Sequence, residues 1–301
     1  MPARSHPPVT IFLVGVLGIA LFSGMDAVMK SLVLAIGTLA TMFWRNLIGV
    51  FLSGAIYLPG RREWPTRQAM RVHLARGVLS TVMGVLFFWG LGRVPLAQAV
   101  ALAFIAPLIA LYLAAVLLHE QVGRRIIVAS LIAFTGVIVI FVGQARADLG
   151  RDATLGSLAI LASAVCYALN IVIMRHQALI ALPKEITFFQ SVIVTILLGG
   201  AVAFAGASLP DPREWLWLTL AAVLAITSML LLSWAYARAE ASYLATTEYT
   251  AFLWASLFGW LVFSEPLSPA TLAGAALIVA GCAYASRRPA SRAPEAIELG
   301  G

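Results

Sequence analysis

Six polar side chains lie inside stretches so apolar that hydrocarbon would otherwise surround them: Asp26, Arg45, Arg76, Asn170, Gln190 and Glu248. A charge at the centre of a membrane helix costs about 2.5–3.5 kcal/mol, so such groups are expected to face a partner, a cavity or a water-filled route. Asp26 and Lys30 are four residues apart and share a helix face, where they can pair; Lys30 is also close enough to the helix end to snorkel. Arg45, in FWRN, sits at a depth in its span similar to that of Asp26 in the preceding one. This predicts an Asp26–Arg45 ion pair, which reads either as a scaffold fixing helix register or as a gate with Arg45 able to meet a carboxylate. Glu248, in TTEYTAFLW, has no base near it in its own helix and is a candidate acceptor for a proton or a cation. Arg76 could neutralise it, or could instead line a cavity together with Ser80, Met83 and Phe87, a wall softened by methionine. Ser163, Cys166, Tyr167 and Asn170 form a polar stripe at helical spacing that faces another helix or a cavity. Trp254 and Tyr249 lie deep enough to stack on a planar solute.

The candidate cavity set is therefore Arg76, Met83, Tyr167, Asn170, Gln190, Glu248, Tyr249 and Trp254, with Glu248 as the coupling group and Asp26 and Arg45 as scaffold or gate. No catalytic residue is assigned. There is no HExxH, no GxSxG, no Walker motif and no clustered His/Cys/Asp pattern, so neither a metal nor a cofactor is expected and ATP drive has no motif behind it. His73, His119 and His176 read as interfacial residues near helix ends. Cys166 and Cys282 lie inside spans and form no disulfide framework.

The elements that must position these groups follow from composition. The chain is 61% hydrophobic and 11% charged, where a soluble domain carries about 25% charged residues. Ten apolar runs lie near 9–29, 37–58, 76–92, 96–118, 125–142, 154–174, 185–205, 214–236, 243–263 and 269–286. They are long enough to cross a hydrocarbon core about 30 Å thick as helices and lack the alternation of a barrel strand. The fold class is an all-α membrane protein with ten transmembrane helices. The first run is followed by Asp26 and Lys30 and has no A-x-A-like site, so it reads as a span and not as a removable signal. Pro107 should kink the fourth span.

The chain also repeats itself. Trp89, Arg93, Glu120 and Gly136 recur 145 residues later as Trp234, Arg238, Glu265 and Gly281. Asp26 falls opposite Asn170 at an offset of 144, and Arg45 opposite Gln190 at 145, so equivalent positions are polar in both halves. The expected organisation is a tail at 1–8, five-helix repeats at 9–142 and 154–286 joined by a linker at 143–153, and a disordered tail at 287–301. Five helices per half is odd, so the second half enters from the opposite face and the repeat is inverted. Numbered from a cytoplasmic N-terminus, the cytoplasmic segments hold thirteen Lys/Arg against five outside, the positive-inside bias with both termini inside. The net charge of +7 is thus a topology signal and not a nucleic-acid footprint. Gly136, Gly281, Ala129 and Gly274 are expected packing positions where backbones touch.

These residues resemble the drug/metabolite transporter superfamily in its ten-helix EamA-type form. The resemblance rests on 76–120, with Arg-Gly opening the third span, an aromatic-rich end, Pro-Leu-Ala leading into the fourth and a Glu closing it, and on the second copy ending in LVFSEPL at 261–267. It implies a central cavity lined mainly by the first, third, fourth, sixth, eighth and ninth spans. MDAVMK at 25–30, FWR at 43–45 and ARG at 75–77 are similar to the branch holding S-adenosylmethionine and riboflavin carriers. Glu248-Tyr249 falls where methionine-adenosyl carriers are also polar. The chain departs where many members keep a second-half proline and it has Phe252. The expectation is a secondary carrier in the inner membrane for a small amphipathic, aromatic or cationic metabolite, with proton or exchange coupling; the partners are solute and lipid, and oligomeric state is open. The alternative from another class is an intramembrane enzyme or a non-transporting scaffold.

Overall fold

The computed structural model describes residues 8–59, 64–106, 108–109, 113, 124–146, 150–178, 180–206, 209–236, 247 and 250–286. Among these, ten helices and no strand are present. They are α1 (Pro8–Ile36), α2 (Thr38–Tyr57), α3 (Arg67–Leu91), α4 (Leu96–Ala103), α5 (Arg124–Arg146), α6 (Gly150–Ala178), α7 (Pro183–Ala205), α8 (Pro212–Tyr236), α9 (Thr250–Phe263) and α10 (Pro269–Ser286). Six of them (α1, α2, α3, α6, α7 and α8) contain stretches long and apolar enough to cross a membrane, and shorter apolar helices fall within α5, α9 and α10.

Helix ends follow local chemistry. α1 and α2 are separated by Gly37 alone, at φ 80, a left-handed conformation that glycine adopts without steric cost. The third helix starts at Arg67, nine residues before its apolar run. The Thr66 side chain accepts a hydrogen bond from the Ala69 N–H at 3.2 Å and caps this polar first turn. α4 stops at Ala103, where the Phe104 and Ile105 N–H groups bond back three residues to the Ala101 and Leu102 carbonyls. Pro107, most of 110–123 and the tails 1–7 and 287–301 lie outside the described residues. Much of the expected linker is helical, since α5 runs to Arg146 and α6 starts at Gly150.

The most extensive helix contacts follow an inverted two-fold relation that takes each helix to the one five places on. α1 packs on α8, and α6 on α3; α1 packs on α9, and α6 on α4; α2 packs on α8, and α7 on α3. α2 with α7, α4 with α9 and α5 with α10 map onto themselves. Individual residues give the register. Ser163 Oγ donates to the Met83 carbonyl at 2.8 Å, and Ser228 Oγ donates to the Gly18 carbonyl at 2.8 Å. These bonds join the same two repeat positions at an offset of 145, with donor and acceptor exchanged. The close α3–α6 crossing at Gly90 and Gly156 has its counterpart in the packed pair Ala235 and Ile11. α5 and α10 cross at Gly136 and Gly274, where a Cβ on either would lie 2.6 Å from the other's carbonyl oxygen. Dispersion between close backbones replaces the hydrophobic effect there.

This register corrects one expectation. With 145 holding at 11/156 and at 18/163 of the α1–α6 match, Asn170 corresponds to Met25 and Asp26 to Ile171. The 144 offset that matched Asp26 to Asn170 is one residue out, which turns a helical side chain by about 100°.

Candidate functional site

On the face where α1 begins, called here the near face, α3, α6 and α7 are joined by a continuous polar seam. Arg76 lies about 14 Å along α3 from its start and is buried. Its Nε donates to Asn170 Oδ1 at 3.1 Å and its Nη1 to Gln177 Oε1 at 2.6 Å. With its oxygen committed to the guanidinium, the Gln177 amide turns its Nε2 to His73 Nδ1 at 2.7 Å. That ring nitrogen is then the acceptor, which places the ring proton on Nε2, 3.0 Å from Glu185 Oε1. The ring stacks on Phe189 at 5.2 Å and 18°. Deeper in the bundle, Asn170 Nδ2 donates to Ser80 Oγ at 2.7 Å, and Gln190 Nε2 reaches the same oxygen at 3.4 Å. The seam thus runs from Glu185 through His73, Gln177, Arg76, Asn170 and Ser80 to Gln190, each polar group held by the next.

The far face is closed by a latch. Lys30 Nζ forms an ion pair with Glu265 Oε1 and donates to the Val94 carbonyl at 2.7 Å. Glu265 Oε2 accepts the Leu96 N–H at 2.7 Å, which caps the start of α4. One lysine and one glutamate therefore tie α1, α4 and the α9–α10 turn together. Local backbone aims the carboxylate inward: Ser264 adopts φ 54, and the Glu265 N–H then bonds back to the Gly259 carbonyl. A left-handed non-glycine residue is held only where its surroundings require it.

Several sequence expectations change here. Lys30 neither pairs with Asp26 nor snorkels; it is buried against Glu265. Asp26 makes no ion-pair contact with Arg45, although each lies within the other's field. Asp26 Oδ1 is buried without a hydrogen-bond partner. His73 is 1% exposed and belongs to the seam, not to an interface. The stripe on α6 splits, with Ser163 and Asn170 turned to α3 and Tyr167 45% exposed. Arg76, Asn170 and Gln190 do come together. Half-buried Met83 contributes its carbonyl, and Trp254 stacks on Phe258 at 6.3 Å with its Nε1 unpartnered. Glu248 and Tyr249 lie outside the described residues. Sequence reasoning missed His73, Gln177, Glu185 and Glu265. The 73–76–80 and 170–177 spacings carried a signal for the seam, since each set shares a helix face.

The sequence pattern of the EamA-like transporter family matches residues 9–142 and again 154–287. The chain belongs to the EamA-like transporter family. Its two matched segments are the two sets of five helices that the contacts relate. This EamA-like transporter is 28% identical over 281 residues to the pseudopaline exporter CntI of Pseudomonas aeruginosa, covering 91% of this chain and 95% of that one. It is 30% identical over 233 residues to a riboflavin transporter of Rhizobium johnstonii, covering 77% and 74%. It is 25% identical over 252 residues to an S-adenosylmethionine uptake transporter of Rickettsia felis, covering 81% and 82%. A solved crystal structure superposes with a TM-score of 0.61 at 22% identity, over 94% of this chain and 100% of its own, which bears on the fold alone. As an EamA-like transporter, the chain is a multi-pass membrane protein that moves a small molecule across a bilayer.

Proposed function

We propose that this EamA-like transporter is a secondary carrier of the inner membrane, with both termini cytoplasmic, that moves a small organic metabolite by alternating access. The observation that carries this reading is the inverted two-fold pairing of contacts, with Ser163–Met83 and Ser228–Gly18 as its register marks. Two halves of opposite orientation can exchange conformations, and that exchange turns a carrier open on one face into its mirror open on the other. The excess of Lys and Arg on the near face supports the orientation. Lys30–Glu265 serves as the far-face latch and the Arg76 seam as the near-face contact that parts. Asp26 and Arg45 flank the route between them as a gate. Met83, Tyr167, Tyr249 and Trp254 stay in the proposed cavity wall, and Glu248 stays in it as the coupling carboxylate, on its sequence position. The names of the relatives support an amphipathic, aromatic or cationic solute. Proteoliposomes preloaded with S-adenosylmethionine, riboflavin or a mixed bacterial metabolite extract test the reading. The expected result is exchange of at least one solute across the bilayer in chemically unchanged form. Conversion of a solute without transfer would point to an enzyme, and no exchange of any solute would remove the carrier reading.

A further inference from the structure

The seam on the near face has a two-fold counterpart on the far face, and the two differ in chemistry. At the 145-residue offset, His73, Arg76 and Ser80 of α3 correspond to Leu218, Ala221 and Ala225 of α8. Asn170 and Gln177 of α6 correspond to Met25 and Leu32 of α1, and Glu185 of α7 to Ala40 of α2. All six counterparts are apolar and 0–7% exposed. At these six positions the same helix packing is therefore apolar on one side and a hydrogen-bonded network around a guanidinium on the other, while Gln190, the last seam residue, corresponds to Arg45. The fold does not need the charge at this place, because its own other half makes the contact with alanine.

Among the described residues the charge also has no acid bonded to it. Both acceptors of Arg76 are neutral side-chain amides. The nearest acid along the seam, Glu185, is taken up by His73. Nη2 donates to nothing among the described residues, although a guanidinium offers five donors in a planar fork. Asn170 and Gln177 hold Nε and Nη1, which fixes the plane and leaves Nη2 as the donor without a described partner. A planar, preoriented cation whose described partners are neutral amides is suited to a carboxylate, which accepts charge-assisted hydrogen bonds from it.

Building on the carrier reading above, we propose that Arg76 is the binding site for a carboxylate group of the transported solute. Asn170 and Gln177 are its positioning residues. The transported class is then carboxylate-bearing metabolites, amino-acid-like zwitterions included, and solutes with aromatic rings but no carboxylate fall outside it.

The test is uptake by proteoliposomes of the full chain from a bacterial small-metabolite extract, read by mass spectrometry. It is run before and after carbodiimide coupling of the extract to methylamine, which converts carboxylates to amides. The expected result is uptake of carboxylate-bearing solutes from the native extract and loss of that uptake after amidation. Arg76→Gln should raise the half-saturating concentration for those solutes roughly 10- to 100-fold, the effect of removing a charge-assisted hydrogen-bonding partner, with protein yield held and the melting temperature lowered as Asn170 and Gln177 lose their donor. Arg76→Lys, which keeps the charge but not the fork, should fall between. Uptake that survives amidation, or solutes without a carboxylate that depend equally on Arg76, would overturn the carboxylate site while leaving the carrier intact. Restoration of Arg76→Gln uptake by a second change, Glu248→Gln, would overturn it too, because Arg76 would then be the counter-charge of a helix carboxylate. No uptake of any solute by the parent protein would remove the carrier reading and this inference with it.

Discussion

Glu265→Ala is expected to lower the stability of this EamA-like transporter by about 3–5 kcal/mol, the cost of removing one partner of a buried ion pair. The substitution strands Lys30, which is buried and whose remaining acceptor is the Val94 carbonyl. It also uncaps the Leu96 N–H at the start of α4. Lys30→Met alone should cost less, since Glu265 is partly exposed and keeps the Leu96 N–H as a donor. Lys30→Met combined with Glu265→Gln should recover most of the loss, because no charge is then left without a partner and the amide oxygen still accepts from Leu96. Melting temperatures in detergent, followed by intrinsic tryptophan fluorescence, check the series. A double variant as unstable as Glu265→Ala would mean that the pair is not the latch.

The second large effect concerns the near-face seam. Glu185→Ala leaves the buried His73 ring without the acceptor for its Nε2 proton, at a cost of about 1–3 kcal/mol. Adding His73→Leu installs at both positions the residues of the two-fold counterpart, Leu218 and Ala40. That interface is dry and well packed in this protein. The double variant is therefore expected to regain part of the lost melting temperature, the rest being withheld because Gln177 Nε2 loses its acceptor. Its transport should nevertheless fall about 10-fold or more, because a dry seam biases the equilibrium towards the near-closed state, and each 1.4 kcal/mol of bias is a tenfold change in population. Full transport by a stable double variant would reduce the seam to packing.

Much of the architecture is legible in the sequence. Ten apolar runs yield ten helices, and the rare residues shared at one offset reveal the duplication. What the sequence could not supply is register to the residue. Asp26 and Asn170 match only if the offset slips by one, and two serine-to-carbonyl bonds decide against it. Arg76, Asn170 and Gln190 are legible as site residues because polar groups in apolar helices are few. Their partners are not, since Gln177, His73 and Glu185 lie near helix ends where polarity is ordinary. Glu265 is visible as a repeat marker, but its bond to Lys30 spans 235 residues and depends on the left-handed turn at Ser264. Asp26 and Arg45 show the opposite limit: their places on adjacent spans suggested contact, but they lie within each other's field without forming an ion pair.

The central claim is that two inverted halves open the route alternately to the two sides. Single cysteines at Ala69, buried on the near face of α3, and Ala97, buried on the far face at α4, test it in a background with Cys166 and Cys282 replaced by serine. An impermeant thiol reagent should reach Ala69→Cys only from the cytoplasmic side and Ala97→Cys only from outside. Saturating transported solute should raise one reactivity while lowering the other. Labelling of both cysteines from one side, or reactivities that rise and fall together, would contradict alternating access by an inverted repeat.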